Sequence, residues 1–150
     1  MNLDLTYLPA DDRMRFSVRS QADWLITRRL LLKLLDAWLQ KLQTIDLPAV
    51  NVPLGQRDIA LEHALSLEFD GPHTTQQAPK ATPEAKLLEE VSITVDKVGT
   101  QMVMRGAGVE TSLSLTRMQS HMVLEMLAKK ARDVQWVDAH LLPQWLGAGQ

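Results

Sequence analysis

The sequence predicts an α+β fold: an antiparallel sheet built from two β-β-β-α pseudo-repeats, with the helices packed on one face. Three observations carry that prediction. Short segments of strict apolar and polar alternation occur near both ends of the 150-residue chain, which is the two-residue period of a half-buried strand. Each set is followed by a Thr-Arg pair and a long leucine- or methionine-rich run at helical spacing. The two sets also superpose on one another at a nearly constant spacing, in the same order.

In the first unit, about residues 2–43, Leu3, Leu5 and Tyr7 alternate with Asp4 and Thr6. Pro9, Ala10, Asp11 and Asp12 supply turn residues, and Met14, Phe16 and Val18 resume the alternation, so a β-hairpin is expected. Ala22 to Ile26 reads as a third strand, and Thr27 is placed to cap a helix from Arg28 to about Gln43. The apolar residues of that helix spread over an arc wider than the roughly 100° stripe that one-sided packing requires. It is therefore expected to touch two layers.

A connector, 44–69, carries turn chemistry from Asp46 to Gly55, then a short helix from Gln56 and a strand from about Ala64 to Phe69, where odd positions are apolar. Residues 70–85 hold Gly71, Pro72, Pro79 and Pro83 without periodicity and read as a mobile loop. The pattern returns over about 86–132. Leu3, Leu5 and Tyr7 fall on Val91, Ile93 and Val95, and Met14 and Phe16 fall on Met102 and Met104, with a turn of equal length between. Trp24, Ile26, Thr27 and Arg28 fall on Leu113, Leu115, Thr116 and Arg117. Thr116 and Gln119 have the spacing of a capping box. A tail, 133–146, gathers Trp136, Val137, Leu141, Leu142, Trp145 and Leu146, broken at Pro143, and must bury on this chain or on a neighbour. Two halves of this size would each have a marginal core, so one domain spanning 1–150 is expected.

Composition narrows the function. The chain has no cysteine, which excludes disulfides, zinc-thiolate sites and thiol nucleophiles and fits a reducing, cytoplasmic setting. A net charge of -2 gives no bulk attraction to nucleic acid or anionic lipid. The amino terminus lacks the pattern of a secretory signal, and the most apolar window, Leu30 to Leu42, is too short and too interrupted to span a bilayer. No membrane association is expected.

Motifs for chemistry are sparse. The four histidines include no HExxH or comparable ligand spacing. His121 and Glu125, one helical turn apart, read as a solvated pair on the polar flank of their helix; Glu62-His63 is the other acidic neighbour, and His73 falls in the loop. No serine sits in a nucleophile-elbow context. Gly106-Ala107-Gly108 joins two strands and reads as a hairpin turn, while Asp11-Asp12 and Glu89-Glu90, adjacent in sequence, point in different directions. No catalytic, metal or cofactor residue is assigned, and a non-catalytic protein is expected.

Two surfaces remain. Arg13, Arg15 and Arg19 alternate with Met14, Phe16 and Val18, and Arg105 follows the same logic in the second unit. These four form a candidate basic patch for a phosphate backbone, or a solvent face neutralised by Asp11, Asp12 and Asp23; Tyr7, Phe16 and Trp24 face inward and supply no stacking platform. In element order alone, the chain resembles the duplicated sheet-plus-helix units of the Whirly and Pur-alpha type single-strand-binding regulators, which implies single-stranded nucleic acid as a ligand class and transfers no site. The apolar surplus of the two long helices and the tail favours association instead, with Arg28, Arg29, Trp136 and Trp145 as candidate interface anchors. The function expected first is a protein-interaction domain, scaffold or adaptor, that self-associates as a homodimer or binds a protein partner. The alternative is sequence-tolerant binding of single-stranded nucleic acid on the basic strand face.

Overall fold

The computed structural model describes residues 3–18, 22–43, 56–67, 73–75 and 85–147. Its first three strands, β1 (Leu3–Leu8), β2 (Arg13–Val18) and β3 (Ala22–Thr27), form an antiparallel meander that leads into α1 (Arg28–Gln43). After α2 (Gln56–Ser66) come two short strands, β4 (His73–Thr75) and β5 (Lys86–Leu87). A second meander, β6 (Glu90–Val95), β7 (Gly99–Gly106) and β8 (Val109–Thr116), leads into α3 (Arg117–Asp133), and a 3₁₀ turn, Ala139–Leu141, follows. The α+β class and both β-β-β-α element orders match the sequence reading.

The strands divide between two sheets, ordered β4-β1-β2-β3-β5 and β6-β7-β8. β4 and β5 add to β1 and β3 in parallel, and every other pairing is antiparallel. The chain passes from one sheet to the other within two residues: the Leu88 amide donates to the Leu25 carbonyl and the next amide, Glu89, donates to Arg105, each at 2.9 Å. Gly106 permits this approach, because a Cβ there would stand 2.2 Å from the Leu87 carbonyl oxygen and 3.0 Å from the Trp24 ring. The Trp24 indole N–H donates across the junction to Thr111 Oγ1 at 3.0 Å.

Alternation does what period two requires. Leu3 and Leu5, then Met14, Phe16 and Val18, then Trp24 and Ile26 are buried. α1 sends Leu31, Leu34, Leu35, Trp38 and Leu42 inward and packs on both β3 and β6, so its wide apolar arc does serve two layers. α3 lies against β7 and β8 and also meets β1, α1 and α2. A single apolar cluster runs through both sheets and both long helices.

Three expectations are corrected. The two turns are not of equal length. Leu5 pairs with Phe16, whereas Ile93 pairs with Met102 and Met104 pairs with Val91, so β7 slides by two residues, a shift that keeps every side chain on its face. The strand expected from Ala64 does not form at 64–66, because α2 continues to Ser66; residues 68–69 lie outside the described residues. Ile59, His63 and Ser66 face inward at helical spacing, while Leu61 and Leu65, which suggested alternation, lie outside. Within the expected mobile loop, 73–75 form β4 beside β1, and 70–72 and 76–84 lie outside the described residues, as does the connector 44–55. The apolar tail buries on this chain, with Trp136 and Leu146 in the core cluster.

Candidate functional site

The capping box at Thr116 fixes how α3 begins. The Gln119 amide donates to Thr116 Oγ1 at 3.2 Å, and Gln119 Oε1 accepts from the Thr116 amide at 3.0 Å. Counting in fours from that start puts Arg117, His121 and Glu125 on one stripe, and the stripe faces α2. Ser120 donates to the Thr116 carbonyl at 2.7 Å and its hydroxyl lies 2.8 Å from Thr100 Oγ1, anchoring the same turn to β7.

From α2, Glu62 and His63 complete a continuous polar chain. Arg117 grips the Glu62 carboxylate with its Nε at 3.3 Å and a terminal nitrogen at 2.5 Å, and donates to the Asp96 carbonyl at 3.2 Å. Glu62 Oε1 meets His121 Nε2 in a short hydrogen bond. The two imidazoles then meet Nδ1 to Nδ1 at 2.9 Å, and His63 Nε2 lies 2.7 Å from Glu125 Oε1. Glu125 Oε1 also accepts the Gly147 amide at 2.8 Å, and the Trp145 ring stands edge-on to His63 with centroids 4.9 Å apart. Both imidazoles and Glu125 are buried; Glu62 and Arg117 form the end that reaches solvent.

Protons can be counted from this geometry. Burial is the strongest influence on Glu62 and raises its pKa, but the hydrogen bonds from His121 and Arg117 and the Arg117 charge outweigh it and hold the carboxyl at about 2. Glu62 is thus ionised, and His121 Nε2 must carry hydrogen. Burial lowers the pKa of His121, against the pull of Glu62, and the charges of His63 and Arg117 lower it further. His121 therefore stays neutral and offers its Nδ1 lone pair. His63 then donates through Nδ1 to His121, and its Nε2 meets the Glu125 oxygen that also accepts the Gly147 amide.

His121 and Glu125 are accordingly not the solvated pair expected from their spacing. They do not bond to each other; His63, brought by α2, stands between them. The stripe spacing on α3 was visible in the sequence, whereas Glu62 and His63 sit on a helix whose polar inner face gave no apolar period.

Among the described residues, the candidate patch is divided between the two sheets. Arg13 bonds the carbonyls of Asp11 and Asp12, Arg15 is largely buried with Asp4 at 3.9 Å, and Arg19 lies outside the described residues. Arg105 is in the other sheet, bridged by Glu110 at 2.9 Å and Glu90 at 3.5 Å. Of the candidate anchors, Trp136 is turned inward: its indole N–H donates to Asp12 Oδ1 at 2.8 Å and its ring stands edge-on to Tyr7. Arg28 lies over that ring and bonds Asp12 Oδ2 at 3.2 Å, Trp145 packs on His63, and Arg29 is exposed. Both tryptophans make contacts within the chain.

The exposed apolar side chains gather elsewhere. Leu61 and Leu65, one turn apart on α2, are 63% and 52% exposed. Met118 follows Arg117 on α3, and Val98 lies in the β6–β7 turn whose Asp96 carbonyl Arg117 holds, so the Arg117–Glu62 pair ties three elements bearing apolar side chains together. Among the described residues, no group of three or more His, Cys, Asp or Glu is arranged to hold a metal ion, and no helix is long and apolar enough to cross a membrane. No protein-family model, curated protein or solved structure matches the chain.

Proposed function

We propose that this chain is a non-catalytic protein-interaction domain that self-associates, using the outward stripe of α2. The carrying observation is the exposure of Leu61 and Leu65 together on a helix whose opposite side is locked down by Ile59, His63 and Ser66. Isolated exposed leucines are ordinary, whereas grouped ones on an anchored helix favour an interface. Their spacing is self-complementary: two copies of α2 crossing antiparallel about a two-fold axis set Leu61 of one against Leu65 of the other, as an isologous contact requires. The imidazole pair supports a structural role in preference to a catalytic one, since both rings are shut away from solvent.

Two leucines make a small contact, so weak, concentration-dependent association is expected. Sedimentation velocity over a range of concentrations tests it. The unmodified chain should shift from monomer toward dimer on concentration, and the variant Leu61→Glu/Leu65→Glu should remain a monomer with an unchanged thermal melt. A concentration-independent monomer in the unmodified chain would remove self-association from the reading.

Single-stranded nucleic acid is the weaker reading, because Arg15 and Arg105 are already bridged by carboxylates. Fluorescence anisotropy of a labelled single-stranded oligonucleotide should show no salt-sensitive binding. Binding that Arg13→Ala/Arg15→Ala weakens, with a salt slope reduced by roughly 0.7 per lost contact, would reverse that ranking.

A further inference from the structure

We infer that the His63–His121 pair is a proton-counted latch, which docks α2 and the Trp145–Gly147 segment onto α3 within a window of pH and releases them on either side of it. The latch stands on its own geometry; its consequence for the α2 stripe rests on the reading proposed above.

With both carboxylates ionised, the hydrogen bonds admit one proton count. Two imidazoles that meet Nδ1 to Nδ1 at 2.9 Å share a single hydrogen between those atoms. Their outer Nε2 atoms face Glu125 and Glu62, and each needs a hydrogen to donate. Three protons on four nitrogens satisfy all contacts, with one ring cationic and the other neutral. A fourth proton, placed at His121 Nδ1, sets N–H against N–H. Removing the shared proton leaves lone pair against lone pair, and a tautomer switch that restores the central bond turns a bare Nε2 toward a carboxylate. Either change costs a buried hydrogen bond and leaves its partners unsatisfied.

The groups that surround the pair keep it poised. α2 contributes Glu62, and α3 contributes Arg117 and Glu125. The C-terminal segment contributes the uncharged Trp145 ring and the Gly147 amide. α1 also packs on α2, but its Lys33, Asp36 and Lys41 are exposed on its outer side.

On the acid side, a released His121 takes up its proton at the ordinary imidazole pKa of about 6.5, whereas the docked ring resists it. The released state then binds more protons, so docking weakens as pH falls below that value. On the alkaline side, the docked pair holds one proton more than two neutral rings, so docking also weakens as pH rises. The same helix that carries His63 inward carries Leu61 and Leu65 outward. Release of α2 would therefore dismantle the self-association surface, making assembly strongest inside the window.

The direct test is long-range 1H–15N NMR of the histidine side chains in the full chain, titrated from about pH 5 to 9 around the imidazole range, with exposed His140 as the internal reference. Near neutrality one of His63 and His121 should show two protonated nitrogens while the other is a neutral Nε2–H tautomer. Two neutral rings, or two that titrate independently of each other, would overturn the latch. Amide exchange of α2, corrected for intrinsic rates, should lose protection about tenfold at both edges of the window, and protection that varies in one direction only would also overturn it. Repeating both readings on Leu61→Glu/Leu65→Glu separates the two ideas. The latch should persist in that monomer, so loss of association with the proton pattern intact speaks to the stripe, and loss of the proton pattern speaks against the latch.

Discussion

The two long helices begin in the same way and end up anchored very differently. Thr27 accepts from the Leu30 amide and Thr116 from the Gln119 amide, both at 3.2 Å, and each is followed by an arginine that reaches back to a hairpin turn. Arg28, with a side chain 51% exposed, bonds the Asp12 carboxylate beneath Trp136. Arg117, only 20% exposed, bonds the Asp96 carbonyl and then Glu62, and through it the buried imidazoles. The two carboxyls record the difference. Hydrogen bonds from Trp136 and then Tyr7 lower the pKa of Asp12 at the surface, whereas Glu62 is held at about 2 against burial that would raise it. One local sequence rule thus positions an arginine twice, and what packs over it afterwards decides whether the result is a surface clasp or an interior one.

The contrast should be sharpest when each anchor is cut. His63→Ala leaves Glu125 buried without its ring and should cost about 3–5 kcal/mol in denaturant unfolding, while Arg28→Ala should barely move the midpoint. An equal response from the two would erase the distinction. Gly106→Ala, which forces a Cβ against the Leu87 carbonyl and the Trp24 ring, should cost about 1–3 kcal/mol and loosen the junction between the sheets, visible as faster exchange of the Leu88 and Glu89 amides. Acid should weaken the interior anchor. Because the pKa of Glu62 falls from 4.5 to about 2 on folding, its contribution is complete above 4.5 and is lost as pH drops toward 2. Screening by the solvent that reaches this side chain leaves that contribution at about 1–2 kcal/mol, and Glu62→Gln should flatten that part of the stability profile. The caps differ least: Thr27→Ala and Thr116→Ala should each cost about 1 kcal/mol, Thr116 slightly more because its box also holds Gln119.

Much of the fold was legible because strands and helices announce themselves locally. Leu3 to Tyr7, Met14 to Val18 and Val91 to Val95 alternate, and Thr27 and Thr116 sit where caps belong. The division into two sheets was not legible, since it depends on consecutive amides, Leu88 and Glu89, turning to different partners. The two-residue slide of β7 was also hidden, because an even shift preserves the inward and outward pattern. At the candidate site, the spacing of Arg117, His121 and Glu125 could be read on α3, but the ring that joins them arrives from α2. Burying His63 and Ser66 deprived that helix of the apolar stripe by which it would have been recognised.

The tail sets a schedule for assembly. Trp136 closes over Asp12 in the first hairpin, and the Gly147 amide reaches Glu125 on α3. On a chain emerging from the ribosome, both meanders and both long helices are made before either closure is possible. Until then Asp12 lacks its indole, and Glu125 and His63 lack the ring and amide that shield them. Such distant pairings slow folding, and these two closures come last in the order of synthesis.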